Sequence, residues 1–381
     1  MEYGGFLKKL KKMSFYNSPV SKKEIVIERD LSKNFLVLTG FNGVGKSRII
    51  SMIYETLALA RGVESEINRV GWAAQIDFEG GVGVRALKMS NEGISNESLR
   101  EHVSGLFKAQ SSLADLYGEA EAGVKSKRSF ANIKSSGESN AAAAFGCSAV
   151  LSRSQELADE LTNTVEVLAY IEDQLYFNYN RVVPDTVFEG KANIDKTLYA
   201  LFYNFLVKHA DNKDTKKIVY SLLDEYKSLN GDFDPDAAVE YVSSKLSDAQ
   251  IFGGASSYES SSVFEELNKF FALTDRKLIW RGSYAAMKVP GGDVVPWIEF
   301  SKGEKTLLAL MLTIYLYGES ASFVFDEPDL SLHMEWQKML FPAFLALAPN
   351  AQFIVSTHSP FMVMNTNSEQ IINLAKYHKE A

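Results

Sequence analysis

The sequence predicts an α/β fold in which parallel strands end at one shared edge of a mixed sheet, with an antiparallel β subdomain beside it. Three observations support this prediction. A strand, a glycine-rich loop and a helix follow one another at 35–53, and two further apolar strands, 322–326 and 353–356, each end in polar residues. Strands that alternate with helices in this way are typical of open sheets whose strand ends form one crevice.

The first part of the chain, 1–88, is predicted to hold short strands around a single helix. Residues 24–28 are β-branched between charges, and 35–38 are uniformly apolar, which are both strand patterns. A helical pattern follows at 47–61. Residues 70–88 then predict a hairpin whose turn contains two consecutive glycines.

The middle of the chain, 89–274, is predicted to be a largely helical insertion, and 275–381 a second lobe that completes the fold. The insertion is rich in Ser and Ala at first, and apolar residues recur at helical spacing from 192 onwards. Two stretches within it, 165–170 and 174–183, have strand-like composition.

A small basic cluster lies in the Ser- and Ala-rich part of the insertion. We interpret it as a solvated charged face, with a nucleic-acid or partner contact as the alternative. Its members are Lys125, Lys127, Arg128 and Lys134.

The chain has 381 residues, of which 46% are hydrophobic, and a formal net charge of −8. This length allows one large domain or two ordinary ones. The negative charge disfavours a basic nucleic-acid-binding surface, although a local patch stays open. The single cysteine, Cys147, excludes a disulfide framework and predicts a cytoplasmic protein. No apolar stretch is long enough to predict a membrane span.

The loop after the first predicted strand reads GFNGVGKS and fits the phosphate-binding pattern G-x-x-x-x-G-K-[ST]. Its glycines let backbone N–H groups turn toward phosphate oxygens at a positive helix N-terminus. Lys46 is predicted to reach the outer phosphates, and the Ser47 hydroxyl to bind Mg²⁺. The residues predicted to bind the nucleotide here are Asn42, Gly43, Val44, Gly45, Lys46, Ser47 and, through its backbone N–H, Arg48.

Three further motifs occupy the last part of the chain. Ser301 and Gly303 begin an apolar helix, where a hydroxyl and a bare backbone N–H suit an anion. One apolar strand ends in Asp326 and Glu327, which are predicted to hold Mg²⁺ and to activate a water molecule. Another leads to His358, which can hydrogen-bond a phosphate. A helix cap, a turn and a structural histidine are the ordinary alternatives, but strand ends that converge on one crevice favour a catalytic site.

The segments GFNGVGKS, SKGEK, FVFDEPDLSLH and IVSTHSP, in this order, resemble the ABC-type ATPase superfamily. They are most similar to the branch of SMC and RecF-like proteins, the overcoming-lysogenization-defect (OLD) family and the ATPase subunits of anti-phage systems such as Septu and PARIS. The resemblance covers the beginning and the end of the chain. It implies an ABC-type P-loop NTPase fold, with ATP and Mg²⁺ as ligands.

The resemblance implies a role for each motif residue within one chain. Lys46 and Ser47 would form the Walker A pair, and Asp326 and Glu327 the Walker B pair. Asp326 would join Ser47 in holding Mg²⁺, and Glu327 would be the catalytic base. His358 would be the switch histidine.

Other motif residues would act across an interface between two copies of the chain. Ser301 and Gly303 would be signature residues that contact the γ-phosphate of ATP bound to the opposite subunit. Ser331 and His333 would lie in the D-loop at the same interface. The resemblance therefore implies a homo-oligomer in which two chains enclose two ATPs.

The motifs depart from the usual pattern at three positions. Lys302 stands where glycine or serine is commoner, Arg48 replaces the usual second hydroxyl, and Met334 follows the histidine where proline is frequent. The glutamine of the Q-loop stays open. The candidates are Gln75, Gln110 and Gln174.

The leading hypothesis is a cytoplasmic ATPase that oligomerises around ATP and regulates a separate effector in anti-phage defence, with a phage-derived trigger and no membrane. OLD proteins carry a nuclease domain after the switch histidine. The segment 361–381 has no acidic cluster for metal-dependent cleavage, so a nuclease effector is expected on another chain. The alternatives are a DNA-repair or chromosome-maintenance ATPase of the RecF or SMC type, and a scaffold that holds ATP with little hydrolysis.

Overall fold

The structure is a computed structural model that describes both ends of the chain and parts of its middle. Gln110 and Lys134 lie outside the described residues, and the other side chains of the basic cluster are likewise not described. The described residues are 9–17, 23–28, 33–63, 67, 71–90, 101, 103, 105–107, 112–131, 144–152, 159, 166–177, 193–209, 222, 225–226, 237, 241, 244–245, 258–281, 284–318, 321–364 and 366–378.

The strands are β1 (Leu10–Tyr16), β2 (Ile25–Glu28), β3 (Phe35–Thr39), β4 (Trp72–Phe78), β5 (Gly83–Ser90), β6 (Ala144–Leu151), β7 (Glu166–Ile171), β8 (Gln174–Phe177), β9 (Lys277–Arg281), β10 (Tyr284–Lys288), β11 (Val294–Pro296), β12 (Ala321–Asp326), β13 (Gln352–Ser356) and β14 (Ile371–Asn373). The helices are α1 (Lys46–Ala60), α2 (Leu113–Ala131), α3 (Asn193–Lys208), α4 (Ser262–Ala272), α5 (Lys302–Tyr317), α6 (Met334–Leu347), α7 (Pro360–Val363) and α8 (Ala375–His378).

The central sheet has the order β14-β3-β13-β12-β7-β8. All neighbouring pairs are parallel except β7 and β8, which form an antiparallel hairpin. In this register Leu38 lies beside Ser356, and Ser356 beside Asp326. The carboxyl ends of β3, β13 and β12 therefore meet at one edge, as the sequence predicts. The predicted α/β fold class with a mixed sheet is confirmed.

A second, antiparallel sheet has the order β2-β1-β4-β5-β6 and confirms the predicted antiparallel subdomain and its β4–β5 hairpin. Helix α1 lies between this sheet and the central one and contacts strands of both. Its residues are buried on nearly every side, which explains why it lacks a polar face. Within this core Lys88 of β5 forms an ion pair with Glu55 of α1 at 2.5 Å, so α1 is joined to the antiparallel sheet by charge as well as packing.

The opposite face of the central sheet is covered by α3, α4, α5 and α6, beside a three-stranded sheet β11-β10-β9. Helix α5 packs against α3, α4 and α6 and is apolar over most of its length. Stacked aromatic rings join the sheet to α6: Phe35 stacks on Phe341 with centroids 4.2 Å apart, and Phe344 on Phe353 at 5.5 Å. These ring contacts pack α6 against the first residues of β3 and β13.

Within 89–274, predicted to be largely helical, the two stretches of strand-like composition form β7 and β8, and β6 is a strand that the sequence did not predict. β6 pairs with β5 and extends the antiparallel sheet, and β7 and β8 belong to the central sheet beside β12. β7 is an apolar run buried on both faces, which is the pattern of an interior parallel strand. Because β7 lies in the chain far from β12, the sequence did not predict that the two strands are neighbours in the sheet. The domain boundaries themselves stay a prediction.

No helix in the described part of the chain combines the length and the apolar character needed to cross a membrane.

Candidate functional site

The glycine loop connects β3 to α1 and curls through left-handed backbone conformations. Gly40, Gly43 and Gly45 have φ values of 140°, 81° and 86°, which L side chains rarely adopt. A Cβ at Gly40 would also lie only 2.9 Å from Val44 Cγ2. No side chain in the described residues caps the N-terminus of α1. The first backbone N–H groups of α1 can therefore donate hydrogen bonds to an anion.

Lys46 is buried, with 4% of its surface exposed, and its amine lies at the centre of the loop. Nζ is 3.4 Å from the carbonyl oxygens of both Gly40 and Phe41, and it contacts Nε2 of His358. Burial lowers the pKa of the Lys46 amine, while the carboxylates of Glu327 and then Asp326 oppose that shift. The amine is thus positioned to complement negative charge above the loop.

Asp326 ends β12 directly beside the start of α1. Ser356 Oγ donates to Asp326 Oδ1 at 2.5 Å, and the Ser47 hydroxyl is also hydrogen-bonded to this carboxylate. Burial raises the pKa of the Asp326 carboxyl, and these two hydrogen bonds oppose the rise. A hydroxyl and a carboxylate so close together are hard oxygen ligands of the kind Mg²⁺ takes alongside phosphates and water. Ser47 and Asp326 therefore fit the magnesium ion that the motifs imply.

Glu327 follows with a φ of 45°, an unusual value for a residue other than glycine. Its backbone N–H is 3.1 Å from Ser356 O and 3.0 Å from Ser356 Oγ, and these contacts hold it in this conformation. Its carboxylate Oε1 lies 3.3 Å from Nε2 of His358. Backbone strain of this kind costs about 1–3 kcal/mol and is concentrated at active sites and ligand-binding sites.

The structure thus brings together all five residues assigned to one chain's half of the site: Lys46, Ser47, Asp326, Glu327 and His358. Three of them, Ser47, Asp326 and Glu327, line a cavity of about 450 Å³. The cavity is lined by Ser47, Arg48, Ser51, Ile67, Tyr170, Ile171, Glu172, Asp173, Lys302, Thr306, Asp326, Glu327, Leu330 and Ser331. A carboxylate pair, a hydroxyl and a lysine at one strand edge can hold a metal-bound phosphate group and activate water.

Ser301 has an ordinary structural role within the single chain. It is the N-cap of α5 in a capping box, in which Ser301 N donates to Glu304 Oε2 at 2.7 Å and Glu304 N donates to Ser301 Oγ at 3.4 Å. Arg276 forms an ion pair with the Glu304 carboxylate. Neither Ser301 nor Gly303 is among the described residues that line the cavity. Their predicted contact with ATP bound to an opposite subunit stays a prediction.

Residues 161–364, more than half of the chain, match the family described as "AAA domain, putative AbiEii toxin, Type IV TA system". The chain belongs to this AAA-domain family. The matched range includes Ser301, Asp326, Glu327 and His358, whereas the glycine loop precedes it. The resemblance to ABC-type AAA-family ATPases that the motifs predict is confirmed at this level.

Two relatives of this AAA-domain chain carry ATPase names. It is 27% identical over 211 residues to "Retron Vc95 probable ATPase" of Vibrio cholerae serotype O1 biovar El Tor, covering 51% of this chain and 37% of the relative. It is 36% identical over 86 residues to "Retron Ec83 probable ATPase" of Escherichia coli, covering 19% of this chain and 16% of the relative. The match therefore spans well under half the length of either relative.

Solved structures similar to this AAA-domain chain include SMC heads. The Smc head domain of Pyrococcus furiosus covers 98% of both chains at 15% identity, with a TM-score of 0.44. The SMC head domain of Thermotoga maritima covers 93% of this chain and 91% of its own, at 13% identity and a TM-score of 0.34. At these identities and TM-scores, the similarity supports no conclusion about function.

Two departures from the usual motifs have a structural reason. Lys302 pairs with Asp173 in the β7–β8 turn, with Nζ and Oδ2 2.7 Å apart, so it joins the start of α5 to the cavity wall. The Arg48 guanidinium points away from the loop. It donates to the carbonyl oxygens of Asn17 at 3.1 Å and Gly71 at 3.2 Å, beside the antiparallel sheet.

The two described Q-loop candidates, Gln75 and Gln174, are not among the residues that line the cavity. Gln75 lies in β4, where it is bonded to Arg85 and Asp77. Gln174 begins β8 but the cavity is lined instead by the preceding turn residues, Glu172 and Asp173. Gln110 lies outside the described residues. The turn was not located from the sequence, because its place at the cavity depends on the pairing of β7 with β12.

Sequence reasoning also missed Ser356, the last residue of β13. Its hydroxyl donates to the Asp326 carboxylate and accepts from the backbone N–H of Glu327, so it orients that carboxylate and helps to fix the backbone at Glu327. A serine at the end of an apolar strand was the available signal. It became meaningful only when β13 was found beside β12.

Gly303 packs against residues 329–333, which are called the D-loop from here on. A Cβ at Gly303 would lie 2.4 Å from the backbone oxygen of Ser331. Because a backbone atom cannot rotate away, Gly303→Ala should displace the D-loop and lower stability by about 1–3 kcal/mol. Urea unfolding would measure this change. Gly118→Ala in α2, where no atom lies within 4 Å, is the control and should be neutral or slightly stabilising; equal behaviour of the two variants would contradict the close contact.

Proposed function

We propose that this chain binds ATP with Mg²⁺ and hydrolyses it to ADP and phosphate. The observation that carries this proposal is the convergence of Lys46, Asp326, Glu327 and His358 on the N-terminus of α1. Membership of the AAA-domain family supports it. ATP rather than GTP follows from the resemblance, since no base-reading residue is identified.

Each residue has a defined part in this proposal. The loop N–H groups and Lys46 would bind the β- and γ-phosphates. Mg²⁺ held by Ser47 and Asp326 would neutralise phosphate charge as the bond to the leaving group breaks. Glu327 would accept a proton from the attacking water, and His358, 3.3 Å from Glu327, would orient that water or the γ-phosphate.

We further propose that two copies of the chain enclose the nucleotide. Ser301 lies at an exposed helix start, where its hydroxyl can meet a phosphate of another copy. Large apolar side chains are exposed around the site: Phe41 of the glycine loop at 79%, Leu330 of the D-loop at 73% and Met364 after α7 at 73%. Apolar groups gathered around a polar site favour a partner surface.

Mixing two inactive variants tests this arrangement. Lys46→Ala strongly weakens ATP binding, and Ser301→Asp keeps the helix cap but repels a phosphate. If Ser301 acts on the other subunit, a mixed dimer contains one intact site, so an equimolar mixture should recover up to about a quarter of the wild-type rate. Steady-state phosphate release would measure this recovery.

The control mixture combines Lys46→Ala with Glu327→Gln. Both changes affect the same chain's half of a site, so no mixed dimer has an intact site and no activity should return. If the Lys46→Ala and Ser301→Asp mixture also stays inactive although mixed dimers form, the enclosed-nucleotide arrangement is wrong.

We extend the proposal to anti-phage defence, where the chain would regulate a separate effector, expected to be a nuclease, after a phage-derived trigger. The support is the resemblance of the motifs to ATPase subunits of such systems and the two relatives named as retron ATPases. Co-purification of the tagged chain from its native host should recover a protein partner. Recovery with DNA ends and no protein partner would favour a DNA-repair ATPase instead.

A further inference from the structure

Gln337, in the first turn of α6, lies between the D-loop and the switch loop, which is defined here as residues 357–359. Its Nε2 donates to the backbone oxygens of Asp329 at 3.1 Å and Leu332 at 2.9 Å. Its Oε1 accepts from Ser359 Oγ at 2.5 Å. One half-buried side chain therefore connects two loops that are both part of the site.

The hydrogen bonds of Gln337 use both N–H donors of its amide and its carbonyl oxygen. The residues that it contacts, Asp329, Leu332 and Ser359, are all buried. Removal of the amide would leave the Leu332 carbonyl oxygen without its described donor and the Ser359 hydroxyl without its described acceptor, whereas the Asp329 carbonyl oxygen would keep the N–H of Leu332. Such a loss is unfavourable unless the loops move to satisfy these groups. The position of the two loops relative to each other thus depends on this amide.

A second connection lies on the other side of His358. The Thr357 hydroxyl is hydrogen-bonded to the carboxylate of Asp329, and it also accepts from Ser359 N at 2.9 Å. The residues before and after His358 are therefore each joined to the D-loop, one directly and one through Gln337. The histidine between them has little freedom to shift without the D-loop.

The opposite side of the D-loop packs on the start of α5, where Gly303 leaves room for the Ser331 carbonyl. Leu330 and Ser331 also line the cavity beside Glu327. A displacement of the D-loop at either contact would consequently be transmitted through Gln337 to the switch loop.

We propose that Gln337 is a positioning residue that holds the His358 ring in place against Glu327 and Lys46 by joining the switch loop to the D-loop. The inference rests on the proposed function only in that His358 takes part in ATP hydrolysis. Gln337 itself contacts neither Glu327 nor Lys46 among the described hydrogen bonds, so it would act through the loops.

Two substitutions separate its hydrogen bonds from its volume. Gln337→Met keeps the length of the side chain but makes none of the three bonds, and Gln337→Glu replaces both donors with an acceptor facing two carbonyl oxygens. Gln75→Met is the matched control, because Gln75 is also half-buried and bonded to Arg85 and Asp77, but lies in the antiparallel sheet.

For both Gln337 variants we expect kcat for ATP to fall by about tenfold to a hundredfold, as a displaced catalytic group typically causes. The dissociation constant for ATP should change by less than about twofold, because the phosphate loop is untouched. Gln75→Met should leave both quantities close to wild type. An unchanged kcat, or a loss of ATP affinity in parallel with kcat, would overturn the proposal.

A second readout does not depend on hydrolysis. The chain has five histidines, so the imidazole resonances of protein labelled at histidine can be resolved by NMR and assigned with His358→Gln. Gln337→Met should shift the His358 resonance and leave that of His209, in the distant aromatic cluster with Tyr315, unchanged. An unshifted His358 resonance would contradict the positioning role. A wild-type chain that does not hydrolyse ATP would refute the proposed function, while this spectrum would still decide on Gln337.

Discussion

Lys46→Ala is expected to weaken ATP binding by at least about a hundredfold, since two charge-assisted hydrogen bonds to phosphate together contribute about 3 kcal/mol. The amine is the one cationic group that the structure describes in contact with the carbonyl oxygens of Gly40 and Phe41. The loop closes around this amine, and the Lys46 side chain is buried.

Equilibrium binding of a fluorescent ATP analogue would measure this loss. Lys288→Ala is the control, because Lys288 is an exposed lysine at the end of β10 and its removal changes the net charge equally. Thermal unfolding of both variants without nucleotide should resemble that of the wild type. If Lys46→Ala binds ATP with undiminished affinity, the glycine loop does not form the nucleotide site.

Glu327→Gln is expected to keep ATP binding and to slow hydrolysis by about 10²–10⁴-fold, the usual contribution of a general base. The amide has nearly the same shape and can still hydrogen-bond His358, but it cannot accept a proton from water. The substitution also removes a negative charge that lies close to the γ-phosphate in the proposed complex. ATP should therefore persist on the protein and hold two chains together.

Single-turnover hydrolysis and light scattering with and without ATP would test both parts of this result. Glu369→Gln, at an exposed position in a short 3₁₀ helix, is the control and should hydrolyse ATP at the wild-type rate. Hydrolysis by Glu327→Gln at the wild-type rate would exclude Glu327 as the base. A monomeric Glu327→Gln with bound ATP would separate the chemistry from the proposed dimer.

Much of the candidate site could be predicted because its parts have strong local signatures. The glycine loop needs positive φ values that favour glycine at Gly43 and Gly45, and a buried strand before it, so the pattern of nearby residues is sufficient. Asp326 and His358 follow apolar strands whose burial is evident from composition. Parallel strands place their carboxyl ends at one edge, which links these positions although they are far apart in the chain.

Other parts could not be predicted because they depend on pairings without a local signature. Residues 165–170 have strand-like composition, but their composition does not show that β7 pairs with β12 in the parallel sheet or that the turn after β7 lines the cavity. The hydrogen bonds of Ser356 and Gln337 connect residues from different strands and loops. Nothing in the neighbouring residues of either side chain indicates its partner.

The division between these two groups has one physical cause. Sequence alone determined the phosphate loop, the strand ends and the residue types at them, since backbone conformation and burial depend on short-range patterns. Tertiary structure alone decided which strand lies beside β12, how Glu327 is aimed at His358, and that Gln337 joins two loops. These features arise from packing and hydrogen bonds between segments that are distant in the chain and meet on the two faces of the central sheet.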